Sequence, residues 1–224
     1  MLTPDFEDIK NRIEYVRGET GLVDSVKIVG VVKYQSVEDA NALISEGSVT
    51  DIAENYVQAL VERNNLFLPA KRHLIGHLQT NKVKAAISVA DMIQSVDSVK
   101  LLREIEKQAA KISKPVEVLL QVNIAREEAK TGIFEEQLDE LILSASEMPH
   151  IRVKGLMSIM PIETKLLYYQ KMYALFIDKR EYLVHNICSN NISMDYLSMG
   201  MSSDYETAIK CGSNMIRLGR CLFR

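Results

Sequence analysis

The chain has 224 residues, with 27 Lys+Arg against 30 Asp+Glu, a formal net charge of −3 and 47% hydrophobic residues. That length and apolar content suit one large domain with a full core, and they exclude a disordered chain or a small scaffold stapled by disulfides. The mildly acidic balance argues against a dedicated nucleic-acid binder, whose phosphate contacts need a basic face.

In chain order, an N-terminal helix opens at Thr3-Pro4, a hydroxyl cap followed by proline at the first helical position. The first strand is expected over 26–33 (VKIVGVVK), apolar on both faces as in a buried parallel sheet. Ser36 caps a helix over 37–46 that Gly47 ends. Further strands are expected over 51–53, 73–76, 92–96, 116–123, 153–158, 196–199 and 215–218. Between them lie helical patterns that include 81–89, 99–112, 135–147 and 165–184, while 182–192 is the least regular stretch and reads as a loop. Eight strands result, each of the first seven followed by a helix. Such alternation gives a parallel sheet, because parallel strands need a crossover connection. Eight units close best as a (β/α)8 TIM-type barrel, although a doubly wound open sheet uses the same alternation. No Pro/Gly/Ser linker, low-complexity tract or charge run divides the chain. The expectation is a single α/β domain over 1–224 with an extra N-terminal helix.

No apolar run approaches about 18 residues, the length of a membrane span. The N-terminus is acidic and interrupted, unlike a secretory signal. Cys188, Cys211 and Cys221 form an odd set without C-x-x-C spacing, which fits a reducing compartment. A soluble cytoplasmic protein is expected.

In a barrel, chemistry belongs at the C-terminal ends of the strands. Those ends carry Lys33, Glu54-Asn55, His77, Ser95, Asp97, Asn123, Ser158, Gly200-Met201-Ser202 and Gly219-Arg220. Lys33 directly follows IVGVV, beside apolar walls. A desolvated lysine amine becomes neutral more readily and can attack a carbonyl to form a Schiff base. A lysine that snorkels out of the barrel mouth fits the same stretch. Further on, SMGMSSDYETAI places Gly200, Met201, Ser202 and Ser203 before a helix, whose free N–H groups and dipole favour an anion. IRLGR sets Gly219 at the end of the last strand, where bare backbone can approach a ligand. Loops after the seventh and eighth strands recurrently hold phosphate in barrels. Ser-Ser-Asp is equally an ordinary helix cap, and glycine an ordinary turn residue. His73 and His77 have no third ligand nearby, so no metal site is expected. Met157, Met160, Met199 and Met201 read as barrel core or pocket wall, and Arg72, Lys82 and Lys84 as a small solvated patch.

With these residues assembled, the chain resembles the pyridoxal phosphate homeostasis proteins, small barrels related to the N-terminal domain of alanine racemases. The matching segments are VGVVKY, AENYVQAL, HLIGHLQTNKVK, SVDS, KTGI, GLMSI, LSMGMSSDYETAI and GSNMIRLGRCLF, in order along nearly the whole chain. The resemblance implies pyridoxal 5'-phosphate held as a Schiff base on Lys33. It implies a cofactor phosphate bound by Ser202 and by backbone at Gly219 and Arg220, and a ring nitrogen near Arg217. Asn55, Met157 and Ser158 would lie close to the ring. It also implies a role in buffering and delivering the cofactor, with apo enzymes that use it as candidate recipients and no robust turnover. A monomer without nucleic-acid or membrane partners is expected. Departures from the family pattern are Ala53 for glycine, Val32 for serine, Arg220 for threonine, and an end at Phe223-Arg224 where relatives continue.

Two enzymatic readings compete. An amino-acid racemase of this barrel type needs acid–base groups on both faces of the substrate, one of them from an added β-domain, and such a domain is not expected after the eighth strand. A Schiff-base aldolase would use Lys33 and the same anion site without cofactor. Arg217 agrees with the carrier: a guanidinium offers only donors, so a ring nitrogen facing it stays unprotonated and is a poorer electron sink than the carboxylate-paired pyridinium of aminotransferases.

Overall fold

In the computed structural model, which describes residues 5–21, 25–47, 49–161, 166–186 and 189–223, eight parallel strands close in chain order, with β1 bonded to both β2 and β8. The strands are β1 (Lys27–Val31), β2 (Asp51–Glu54), β3 (Lys71–Leu74), β4 (Met92–Val96), β5 (Val116–Gln121), β6 (Ile151–Met157), β7 (Ile192–Met201) and β8 (Met215–Leu218). An extra helix, α1 (Asp5–Thr20), precedes the barrel. Each of the first seven strands then leads into a helix: α2 (Val37–Ser45), α3 (Val57–Arg63), α4 (Val83–Val89), α5 (Val99–Ile112), α6 (Leu138–Ser146), α7 (Leu166–Asn186) and α8 (Tyr205–Lys210). The (β/α)8 barrel expectation therefore holds.

Period-two alternation sorts the strand residues, because successive side chains point to opposite faces. Val29, Val31, Ala53, Met92, Leu119, Met157 and Met215 form one interior cluster. Their strand neighbours, such as Ile52, Ile93, Leu120 and Ile216, belong to clusters shared with the helices. Helix α5 buries Leu101, Leu102, Ile105 and Ala109 on one face, the stripe of a 3.6-residue period. Its Ser98 cap accepts from the Leu101 amide at 3.2 Å. The Ser36 cap of α2 likewise accepts from Asp39 N–H at 3.0 Å, and Gly47 follows with φ +68°. Helix α1 sets Phe6, Ile9, Ile13 and Val16 in one cluster with Ile209, Leu218 and Leu222.

The structure corrects several boundaries. Helix α7 runs on to Asn186, so the first part of the loop expected over 182–192 is helical, and Leu183 packs against the main core. Strand β7 begins at Ile192 rather than at 196. The β6–β7 register shifts between Val153 and Gly155, where a Cβ on Gly155 would lie 1.9 Å from the Tyr196 carbonyl oxygen, so only glycine lets the two strands close there. The helix expected over 81–89 starts with a 3-10 turn, Thr80–Lys82. Strand β1 stops at Val31, which leaves Lys33 two residues beyond it. The Thr3-Pro4 helix start, Lys165, Cys188 and Arg224 lie outside the described residues. No helix among the described residues is long and apolar enough to cross a membrane.

Candidate functional site at the barrel mouth

A cavity of about 490 Å³ opens at the C-terminal end of the barrel, and Lys33, Asn55, Ser202, Arg217, Gly219 and Arg220 all line it. A wider hollow of about 600 Å³, between the end of α7 and the start of β7, holds none of the expected residues. Convergent cations and amides, rather than size, single out the mouth.

The lysine segment is fixed by one arginine. Arg63, at the end of α3, donates from Nη1 to the Val32 carbonyl (3.3 Å) and to Glu54 Oε1 (2.5 Å). Its Nη2 donates to the Gln35 carbonyl at 2.8 Å. The residues on both sides of Lys33 are thereby tied to the end of β2. Burial pushes the Glu54 carboxyl up, and the Arg63 charge works against that shift. Lys33 itself is half-buried, with Nζ 5.8 Å from the Tyr34 ring centroid. The full desolvation expected of a strand-end lysine is not found, because the strand ends earlier and the amine stands in the open mouth.

The expected anion end is built where the loops after β7 and β8 meet. Gly200 turns the chain with φ +99°, where an added Cβ would lie 2.6 Å from the Ala208 Cβ. The following α8 has only six residues. The Asp204 carboxylate accepts from the Met201 amide at 2.6 Å and from the Tyr169 hydroxyl. Asp204 ties down the turn before α8 without a side-chain bond to the helix amides. Beside it, Ser202 Oγ accepts from the amides of Gly219 (3.1 Å) and Cys221 (3.5 Å), which joins the loops after β7 and β8. At Gly219 a Cβ would meet nothing closer than the Val31 carbonyl oxygen at 3.4 Å, so the bare backbone faces the cavity. The Arg220 side chain is exposed and has no ion-pair partner among the described residues.

At the opposite pole Arg217 is 4% exposed. Its Nη1 donates to the Ser198 carbonyl (2.9 Å) and hydroxyl (2.7 Å), and Nη2 to the Ser158 carbonyl (2.8 Å). Burial pushes its pKa down to about 10, which leaves it a cation at neutral pH. Among the described residues no carboxylate pairs with it. Met157 and Ser158 do not line the cavity. Met157 packs inside the barrel, and Ser158 Oγ donates to the Val122 carbonyl, so Ser158 acts on the mouth only through its carbonyl to Arg217.

Sequence reasoning missed other lining residues, Val31, Tyr34, Gln35, Ile75, Gly76, Thr131 and Ile159, while Ser203 of the expected anion stretch does line the mouth. Gly76 carried a signal, since a Cβ there would lie 2.1 Å from the Asn55 carbonyl oxygen. Met201 lines the mouth, whereas Met160 and Met199 belong to the core. The two histidines part company: His77 lines the mouth, 3.5 Å from Asp97, while His73 is buried inside the barrel against Asp51. Burial raises the Asp97 carboxyl, and His77 counters it. Arg72 is not part of a solvated patch, for its guanidinium donates to the carbonyls of Ala70 (3.0 Å) and Asn64 (3.3 Å).

Amides and a hydroxyl at one pole, a buried cation at the other and an amine in the same cavity make a definite recognition pattern. They suit a ligand with an anionic group at one end, a hydrogen-bond acceptor at the other and a carbonyl that the amine can reach. Comparison with known proteins points the same way. The family model of the alanine racemase N-terminal domain matches residues 5–224. The pyridoxal phosphate homeostasis protein of Pasteurella multocida is 34% identical over 207 residues, 89% of this chain and 86% of that protein. A crystal structure described as an unknown protein from Bifidobacterium adolescentis superposes with TM-score 0.87 at 27% identity, covering 97% of this chain and 92% of that one. PipY of Synechococcus elongatus, in its structure with PLP bound, superposes with TM-score 0.76 at 27% identity, covering 96% and 99%.

Proposed function

The chain belongs to the pyridoxal phosphate homeostasis proteins, within the family of alanine racemase N-terminal domains, and from that premise we propose that it binds pyridoxal 5'-phosphate and buffers and delivers it without turning over a substrate. The observation that carries the reading is Arg217, a buried cation whose donors are held by three oxygens while it lines the same cavity as Lys33. Its donor-only chemistry matches the acceptor nitrogen of a pyridine ring. Lys33 supplies the amine to which the cofactor aldehyde is attached as a Schiff base. Ser202 and the backbone at Gly219 and Arg220 receive the phosphate, Asn55 flanks the ring, and Met157 and Ser158 support the site from beneath. A monomer in the cytoplasm that hands cofactor to apo enzymes is the setting this reading proposes.

When bound, the cofactor supplies an aldehyde for amines and a ring that can draw electrons from an attached carbon. Arg217 has no proton acceptor to offer, so it favours the unprotonated ring and blunts that electron demand. Purified protein incubated with pyridoxal 5'-phosphate should gain a visible absorption band that survives gel filtration. A spectrum identical to free cofactor would overturn the binding reading. In D₂O, α-proton exchange on alanine should stay at trace level, and exchange at about 1 s⁻¹ or faster, ordinary for enzymes, would favour the racemase-type alternative.

Arg220→Thr is expected to tighten cofactor binding several-fold. Arg220 has no ion-pair partner among the described residues. A threonine hydroxyl, by contrast, would add a hydrogen bond to the phosphate, and part of the roughly 1.5–3 kcal/mol of a fully made bond to a charged group already amounts to several-fold. Titration at low and high salt measures both effects. A several-fold loss that fades with salt would instead make Arg220 a phosphate ligand.

A further inference from the structure

Beneath the mouth lies a buried polar chain that the binding groups do not account for. Asp51, His73, Gln94 and Ser198 are all at most 1% exposed, and they occupy the barrel interior below Arg217. Ser198 Oγ lies 2.8 Å from Gln94 Oε1, Gln94 Nε2 lies 2.8 Å from His73 Nδ1, and His73 Nε2 lies 3.0 Å from Asp51 Oδ1. Thr50 donates to Asp51 Oδ2 at 2.6 Å, and Lys27 donates to the same oxygen at 3.2 Å.

The chain has one direction, and Arg217 sets it. A guanidinium only donates, so the Ser198 hydroxyl must accept from it and pass its own proton to Gln94 Oε1. Gln94 is then obliged to present its amide N–H to His73 Nδ1. His73 carries its proton on Nε2 and gives it to Asp51. Burial alone would raise the Asp51 carboxyl, but hydrogen bonds from His73 and Thr50, with the nearby charges, hold it well below the usual carboxylate range. Every donor therefore points away from Arg217, toward a carboxylate that stays ionised.

We infer that Gln94 is a positioning residue: with His73 and Asp51 behind it, it locks Ser198 as an acceptor and so fixes which Arg217 donors remain aimed at the cavity. If Gln94 is removed, the Ser198 hydroxyl is free to rotate, and Arg217 keeps only the two carbonyls of Ser198 and Ser158 as fixed acceptors. The inference rests on the cofactor reading above and extends it to how the ring nitrogen is recognised.

The test compares binding of pyridoxal 5'-phosphate with its 1-deaza analogue, in which C–H replaces the ring nitrogen. The wild-type protein should favour the natural cofactor by about tenfold or more, the scale of a hydrogen bond to a charged donor. Gln94→Met should shrink that ratio several-fold with the barrel still folded by circular dichroism. Ser198→Ala, a smaller change to the same link, should shrink it too and serves if Gln94→Met does not fold. A general loosening of the fold would weaken both ligands alike and leave the ratio unmoved. A wild-type ratio retained in these variants overturns the inference alone. Equal wild-type affinity for the two compounds also overturns it, by removing the nitrogen contact. Wild-type protein that binds neither compound overturns the cofactor reading, and the inference with it.

Discussion

Replacing Lys33 with alanine should abolish the visible chromophore formed with pyridoxal 5'-phosphate, along with the adduct that borohydride fixes. Lys33 is the only lysine among the described residues that line the mouth cavity, so no second amine is placed to take over. The backbone that carries it is tethered on both sides by Arg63 through the Val32 and Gln35 carbonyls. The substitution therefore removes an amine without releasing the turn. Because the side chain is half-buried and makes no ion pair among the described residues, the stability change should stay within roughly 0.5 kcal/mol. The phosphate donors and Arg217 remain, so weak, non-covalent binding should persist and be measurable by equilibrium dialysis. A Lys33→Ala protein with wild-type absorbance and wild-type borohydride adduct would place the anchor elsewhere.

The barrel was legible because each βα unit carries its own period. Met92–Val96, Val99–Ile112 and Met215–Leu218 have the boundaries that the apolar pattern gives. The misjudged segments depend on partners remote in sequence. The end of α7 is helical because Leu183 reaches the core, and β7 is extended by pairing with β6 around Gly155. At the site, the strand-end rule and the family likeness together found the lysine, the serine, the last turn and Arg217. They could not find Arg63, which sits on a helix and acts by meeting carbonyls 28 and 31 residues away. Nor did the strand readings separate the interior polar positions from the apolar ones. Asp51, His73, Gln94 and Arg217 share the interior alternation of their strands with Ala53, Ile75, Met92 and Met215 respectively. Such a polar rung within apolar strands is visible in hindsight, but which residues share a rung depends on barrel register.

Arg63→Met is expected to lower stability by about 3 kcal/mol, from the lower end of the range for breaking a buried ion pair. The lower end applies because Arg63 keeps 18% side-chain exposure while Glu54 has 2%, so some water can reach the vacated space. For a domain of this size that is roughly 6–12 °C in Tm. The loss should depend on pH in a definite sense. Burial raises the Glu54 carboxyl and Arg63 restrains the rise, so methionine lets it rise further. A carboxyl raised on folding destabilises the protein above its folded pKa, and the penalty is relieved as pH falls through that value. The Tm gap to wild type should therefore be widest near neutrality and above, and narrow on acidification toward about pH 5. A gap that stays constant across this window would mean that the Glu54 charge is not what Arg63 compensates. The double variant Arg63→Met, Glu54→Gln separates the arginine's two roles. It should recover most of the lost Tm, since no buried charge is left unpaired. It should not recover wild-type capture of pyridoxal 5'-phosphate, since the Val32 and Gln35 carbonyls still lack the donor that holds the Lys33 turn. Full recovery of both would reduce Arg63 to a counter-ion.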